Sequence, residues 1–387
     1  MSSNKKLISF NCEKNFYYSL IFWTFELATK LLDSFFPTKL FGIKILFDNL
    51  DSDEGKLEEL KINELINLIC KIIAELFAGI VYLCYDESFL EKINKNKKKF
   101  FYIMIISIFL IICRAKNFIY YLLSQCDKTL SEDEVDWEIG IYIASTIIFC
   151  KYINKEITLY LHHKVSIIIT LIAFAFMTST DIYSIINEDQ DIQMINKLIY
   201  LILYCYSSIY YPFSNSIFKL LMNDFLSPIT IIFSIGIFQT ILLLISLPIL
   251  FFTKLIKLGK VKFDEITLMI LWILMKICYI IFYFIRQLMI FKIINKYNPA
   301  YMIFMISINS FISFIASFFL KKEDAAYNES SWCIILDCIS LTLISFGGLL
   351  FNEIIIVHKF GLDQKTRLTL NILANEEIFG NEKEDDY

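Results

Sequence analysis

The chain has 387 residues, 57% of them hydrophobic and only 20% charged, with a mean hydropathy of +0.59. Windows of about twenty residues that are apolar all round exclude an ordinary soluble domain, whose helices carry apolar stripes, and require a bilayer. The net charge of −4 is held mostly in loops and tails, which excludes the basic surface that nucleic-acid binding needs.

The polar start MSSNKKLISFNCEKN has no cleavable-signal pattern, so residues 1–16 read as a tail and the first span as a signal anchor. Ten helices are predicted, over 17–36, 65–85, 100–123, 138–160, 165–185, 196–222, 226–253, 266–295, 299–320 and 332–357. Glu26, Lys30 and Asp33 interrupt the first. Each must be helical, because lipid offers an open strand no hydrogen-bond partner. The expected fold class is therefore an all-α polytopic membrane protein. The loop 86–99 holds Lys92, Lys95, Lys97, Lys98 and Lys99, whereas 124–137 holds only Lys128 and 186–195 no basic residue. Excess lysine marks the cytoplasmic side, which puts both ends of the chain in the cytoplasm, although the four lysines of 254–265 oppose this assignment. Residues 358–387 read as a cytoplasmic tail ending in the solvated run NEKEDDY.

A shift of 167 residues lays Lys155-Glu156 and Tyr160 on Lys322-Glu323 and Tyr327. It also lays Ser131, at the head of the capping-box pattern SEDE, on Asn298 before Pro299, and the second to fifth predicted helices on the seventh to tenth. Two five-helix halves, 17–185 and 196–357, follow from this. An odd number of spans per half turns the second copy upside down, which is a transporter architecture with its site near midplane.

Three stretches carry a family resemblance: YSSIYYPFSNSIFKLLMNDFLSPITIIFSIGIFQTI (206–241), YNPAYMIFMISINSFISFIASFFLKKE (297–323) and ISFGGLLFNEIIIVH (344–358). In these the chain resembles the drug/metabolite transporter superfamily, especially its nucleotide-sugar, triose-phosphate and chloroquine-resistance-transporter-like branches. The resemblance implies carrier-mediated transport of a solute across an endomembrane, without ATP hydrolysis. It also implies that the first helix lines the pathway, and it sets Lys219 where related carriers of phosphate compounds use a basic residue.

Ionisable residues within spans are expensive and point to function. Lys276 lies near the middle of the eighth predicted helix, facing either a cavity or a partner such as Glu75 or Asp337. Arg286, ten residues on, is either an interfacial arginine or a solute ligand. Glu75 follows Lys71 by one turn, which suits an internal ion pair or a proton-coupling carboxylate. Glu26 and Lys30 have the same spacing and can pair with each other or meet solute. Arg114 and Lys116, late in the third helix, suit snorkelling to the membrane edge. Asn215 and Asn309 can bond across helices or hold solute, and Tyr206, Tyr210 and Tyr211 can stack on it or anchor the interface. Gly347-Gly348 permits close helix packing.

No GxxxxGK[ST], HExxH, GxSxG or CxxC pattern occurs, so neither an ATP-driven pump nor a hydrolase is expected, and no cofactor or metal. His162 and His163 are adjacent, hence about 100° apart on a helix, a geometry expected to prevent joint chelation. With Glu156 they read as a connector between helices. The sequon at 328–330 lies in a short loop expected to be lumenal. The leading expectation is a secondary transporter, an exchanger or proton-coupled carrier, for an anionic or phosphorylated organic solute. A non-transporting scaffold or receptor is the alternative. The expected partners are that solute and the lipid bilayer, with a homodimer allowed.

Overall fold

The computed structural model describes residues 8–10, 14–32, 53–85, 95–124, 137–155, 159–188, 194–223, 226–256, 266–297, 299–302, 331–366 and 369. In chain order the helices are α1 (Lys14–Lys30), α2 (Asp53–Tyr85), α3 (Lys97–Arg114), α4 (Lys116–Ser124), α5 (Trp137–Phe149), α6 (Leu161–Glu188), α7 (Met194–Asn223), α8 (Pro228–Phe252), α9 (Ile266–Lys296) and α10 (Ser331–Phe351). A π-helical turn, Cys150–Asn154, continues α5. Two short strands, β1 (Ile8–Phe10) and β2 (Ile355–Val357), pair antiparallel with Ser9 opposite Ile356. The pairing brings the two ends of the described chain side by side.

Among the described residues three helices are long and apolar enough to cross a membrane: α6 over Leu161–Thr180, α8 and α9. The bent pair α3 and α4, which turns by 60° at Ala115, makes a fourth if read as one broken span. Their outer faces suit hydrocarbon. Ile241, Leu244, Ile245 and Ile249 of α8 and Ile270, Ile273, Leu274, Ile277 and Ile281 of α9 are exposed, while Ser234, Gln239 and Gln287 on the same helices are buried. A water-soluble fold distributes these residue types the other way.

Local sequence explains where elements start and stop. Ser227 caps α8, accepting a hydrogen bond from the Thr230 N–H at 3.2 Å, and Pro228 follows at the first helical position. At the far end of α10 the Ile354 N–H reaches back to Leu349 O and the Glu353 N–H to Leu350 O, which closes the helix in a Schellman turn. Glu353 takes the left-handed conformation there, with φ +57°.

Helices α2, α3, α7, α8 and α9 close on one core that includes Ala74, Ala78, Ile103, Phe218, Ile232, Ile235, Tyr279 and Phe291. Small residues let backbones approach. A Cβ at Gly236 of α8 would stand 2.9 Å from Glu75 Cβ of α2. Helices α6 and α10 form a second tight pair, where a Cβ at Gly347 would meet Thr170 Oγ1 at 2.6 Å and Ser166 Oγ donates to Gly347 O at 2.5 Å. Gly347 thus takes the packing role expected of it.

Several boundaries differ from expectation. Helix α2 begins at Asp53 rather than 65, and the helix expected over 100–123 is broken at Ala115. The one expected over 138–160 ends at Asn154, followed by Lys155 with φ 52°. The last expected helix stops at Phe351, and residues 355–357 leave it as a strand. The 167-residue shift lays the broken α3 and α4 on the continuous α9, so these two matched elements differ in shape. Apart from residues 299–302, the predicted helix 299–320 lies outside the described residues, as do Asn298, Glu156 and the sequon.

Candidate functional site

Helix α9 runs through the apolar core carrying Lys276, Tyr279, Tyr283, Arg286 and Gln287. Steps of three and four residues hold these on one face of the helix. Each meets a polar group within the bundle. Lys276 Nζ donates to Asn67 Oδ1 of α2 at 2.7 Å and stands 5.6 Å from the centre of the Tyr279 ring. Arg286 Nε donates to Glu26 Oε2 of α1, and its guanidinium carbon lies 5.6 Å from the centre of the Tyr283 ring. Gln287 Nε2 donates to the Tyr283 hydroxyl at 2.8 Å.

A second ion pair lies beside the first. Glu75 of α2 is fully buried, and Arg114 Nη2 at the end of α3 is 2.5 Å from Glu75 Oε1. Arg114 Nη1 donates to Gln239 Oε1 of α8 at 2.7 Å. The Glu75–Arg114 contact is close but poorly aligned for hydrogen bonding. Both Glu75 carboxylate oxygens, Arg114 Nε and Gln239 Nε2 make no hydrogen bond among the described residues. Such unmade bonds are costly in a dry interior. Tyr211 of α7 lies within electrostatic reach of Arg114, Tyr283 and Arg286.

Arg114 also sits where the bent pair α3 and α4 turns. On the far side of the break the Lys116 ammonium lies 3.5 Å from the centre of the Tyr204 ring of α7. Discontinuous helices at membrane depth frequently frame solute and ion sites, because the break exposes backbone polar groups inside the bundle. The arrangement offers two carboxylates, three cations, three tyrosine hydroxyls and three side-chain amides. It can hold an anion, exchange ion-pair partners, or take a proton on Glu75. Neither a protein-family model nor a curated protein matches this chain.

Of the expected site residues, the structure sets Arg286, Glu75 and Tyr211 around Arg114 and Tyr283, and Lys276 on the same face of α9 about 15 Å along the helix from Arg286. Asn215, one turn beyond Tyr211, is half-buried. Lys219 is directed elsewhere: its Nζ donates to Asn295 O at 2.5 Å, at the carbonyl end of α9. The Lys30 side chain and all of Asn309 lie outside the described residues.

The expected pairings change. Glu75 pairs with Arg114, not with Lys71, and Glu26 pairs with Arg286. The cation Lys276 meets the amide of Asn67. Arg114, expected to snorkel, is buried with its side chain only 3% exposed. Asn67 and Gln239 are additions to the site. The signal that finds Gln239 is its position, a lone amide midway along a very apolar helix.

The histidine pair needs a correction too. His162 Nε2 and His163 Nε2 lie 3.1 Å apart, and His162 Nε2 lies 3.3 Å from Glu353 Oε1 at the end of α10. The 100° offset separates the Cβ directions, but rotation about two side-chain bonds turns both rings inward. The third group comes from the other end of the chain, beyond any local spacing rule.

Proposed function

We propose that this chain is a secondary transporter that moves a small organic anion across a membrane by alternating access. The observation that carries the reading is the set of polar groups within apolar helices: buried Glu26, Asn67, Glu75, Arg114 and Gln239, with half-buried Tyr211, Lys276 and Arg286. Charges at such depth are retained when they handle a solute or an ion. Among these residues three cations face two carboxylates, a balance that favours an anionic or phosphorylated solute. The break at Ala115 supplies a hinge at the wall of the cluster.

The fuller arrangement belongs to the same proposal: ten spans in two inverted halves, both ends cytoplasmic, in an endomembrane, as in the drug/metabolite transporter superfamily that the sequence resembles. The solute enters by replacing protein partners. Its negative group takes the place of Asn67 on Lys276 or of a carboxylate on an arginine, and the released groups rearrange the two halves. Glu75 is the group through which a proton would couple.

The test is uptake by vesicles reconstituted with the purified chain, against a panel of nucleotide sugars, sugar phosphates and organic acids. Lys276→Ala should abolish uptake of whichever solute is carried, with unchanged membrane insertion. Normal transport by this variant removes the anion site, and a protein inert to the whole panel with no solute-dependent stabilisation favours a scaffold.

A further inference from the structure

Beyond that cluster, we propose that His162, His163 and Glu353 form a divalent transition-metal site, of the zinc class, that ties the start of α6 to the end of α10. Their ligand atoms lie within 4.8 Å of one another, and all three residues are buried. The two separations beside His162 Nε2, 3.1 and 3.3 Å, match what a bound ion requires. A tetrahedral zinc with bonds of about 2.0–2.1 Å sets neighbouring ligand atoms roughly 3.3 Å apart. Two imidazoles and one carboxylate are borderline donors that suit zinc and its neighbours rather than magnesium or calcium.

The backbone supports the same conclusion independently. Glu353 occupies the left-handed position of the Schellman turn that closes α10, with φ +57°, where glycine or asparagine is normally found. A β-carbon there carries a steric cost, and such costs concentrate at functional positions. In return the carboxylate reaches the histidines. The rings of Phe351, 4.7 Å from that of His163, and Tyr160, 5.8 Å from it, shield the group from water.

The outer contacts have a consequence for loading. His163 Nδ1 accepts the Tyr160 N–H at 3.2 Å, so the proton of its metal-free neutral ring sits on Nε2. When the ion takes Nε2, that proton moves to Nδ1 and the Tyr160 N–H loses its acceptor. Metal binding therefore exchanges a capping contact of α6 for a clamp between α6 and α10. Because β2 follows Glu353 and pairs with β1, the clamp also steadies the face where the described ends meet.

The experiment uses the purified full-length chain in lipid nanodiscs, stripped with chelator and then titrated with Zn2+, with Co2+ as a spectroscopic probe. Expected are one equivalent of Zn2+, a higher melting temperature, and Co2+ absorption bands of a nitrogen-and-oxygen site. His163→Ala and Glu353→Gln should each weaken binding at least tenfold. Glu353→Gly is the control for folding: glycine suits the left-handed position, so the metal-free variant should melt no lower than the parent while losing the Zn2+-dependent rise. A parent chain whose melting does not respond to Zn2+ overturns the proposal. So does Zn2+ bound equally well by all three variants, or Co2+ bands of thiolate ligation, either of which assigns the ion to cysteines elsewhere.

Discussion

The Glu75–Arg114 pair shows how a charge can persist at a depth where it would otherwise be excluded. Each partner loses its water, and attraction across 2.5 Å offsets that loss only while both are present. Removing one strands the other, so Glu75→Leu and Arg114→Leu should each lower stability by about 3–5 kcal/mol, measured by thermal melting in detergent. The double Leu variant should recover much of the loss, and additive losses would show that the pair is not coupled. Lys219 illustrates the opposite case. Its ammonium holds the carbonyl end of α9 through Asn295 O, where the helix dipole favours a cation. Lys219→Gln should cost about 1 kcal/mol of stability and leave uptake by the folded protein intact. A selective loss of uptake would return Lys219 to the solute site. At this scale the sequence singled out Lys276, Arg286 and Glu75 because each interrupts an apolar run. Their partners stayed hidden, since Arg114 resembles an edge residue and Glu26 has a nearer lysine in Lys30.

Among the elements, the broken α3 and α4 and the tight pair α6 and α10 shape the bundle most. The stretch ICRAKNFI around the break contains neither Pro nor Gly, so its bend has no local signature. What the structure shows instead is a partner for each basic residue flanking Ala115: Glu75 and Gln239 for Arg114, the Tyr204 ring for Lys116. Close approach of α2 and α8 depends on Gly236, where an added Cβ would lie 2.9–3.0 Å from Glu75 and the Leu76 backbone. Gly236→Val should therefore force the two helices apart and cost about 1–3 kcal/mol or more, read as a lower melting temperature. Unchanged melting would mean that the helices can separate without loss. The ordinary helices were legible: α8 and α9 begin and end within a few residues of expectation because cap, proline and apolar run agree locally. The end of α10 was not, because a glutamate in a glycine position gives no stop signal.

For the whole molecule, exposed apolar side chains around buried polar ones suit a hydrocarbon surrounding, and α6, α8 and α9 are long and apolar enough to cross it. The β1–β2 pairing adds a constraint on topology. Cysteines placed at Ser9 and Ile356, which sit opposite each other, should form a disulfide, read as a gel-mobility shift that reduction reverses. Failure of the two to cross-link would break the pairing and the shared-side topology with it.

Composition and hydropathy by themselves determined a helical, membrane-type chain, because hydrocarbon compels each buried segment to satisfy its own backbone. They also marked the isolated charges, whose cost is visible in any window. Only the tertiary structure decided which charge meets which, where the third predicted helix breaks, and that His162 and His163 converge on Glu353. Those outcomes depend on contacts between segments far apart in the chain, and a spacing rule reads only neighbours along one helix.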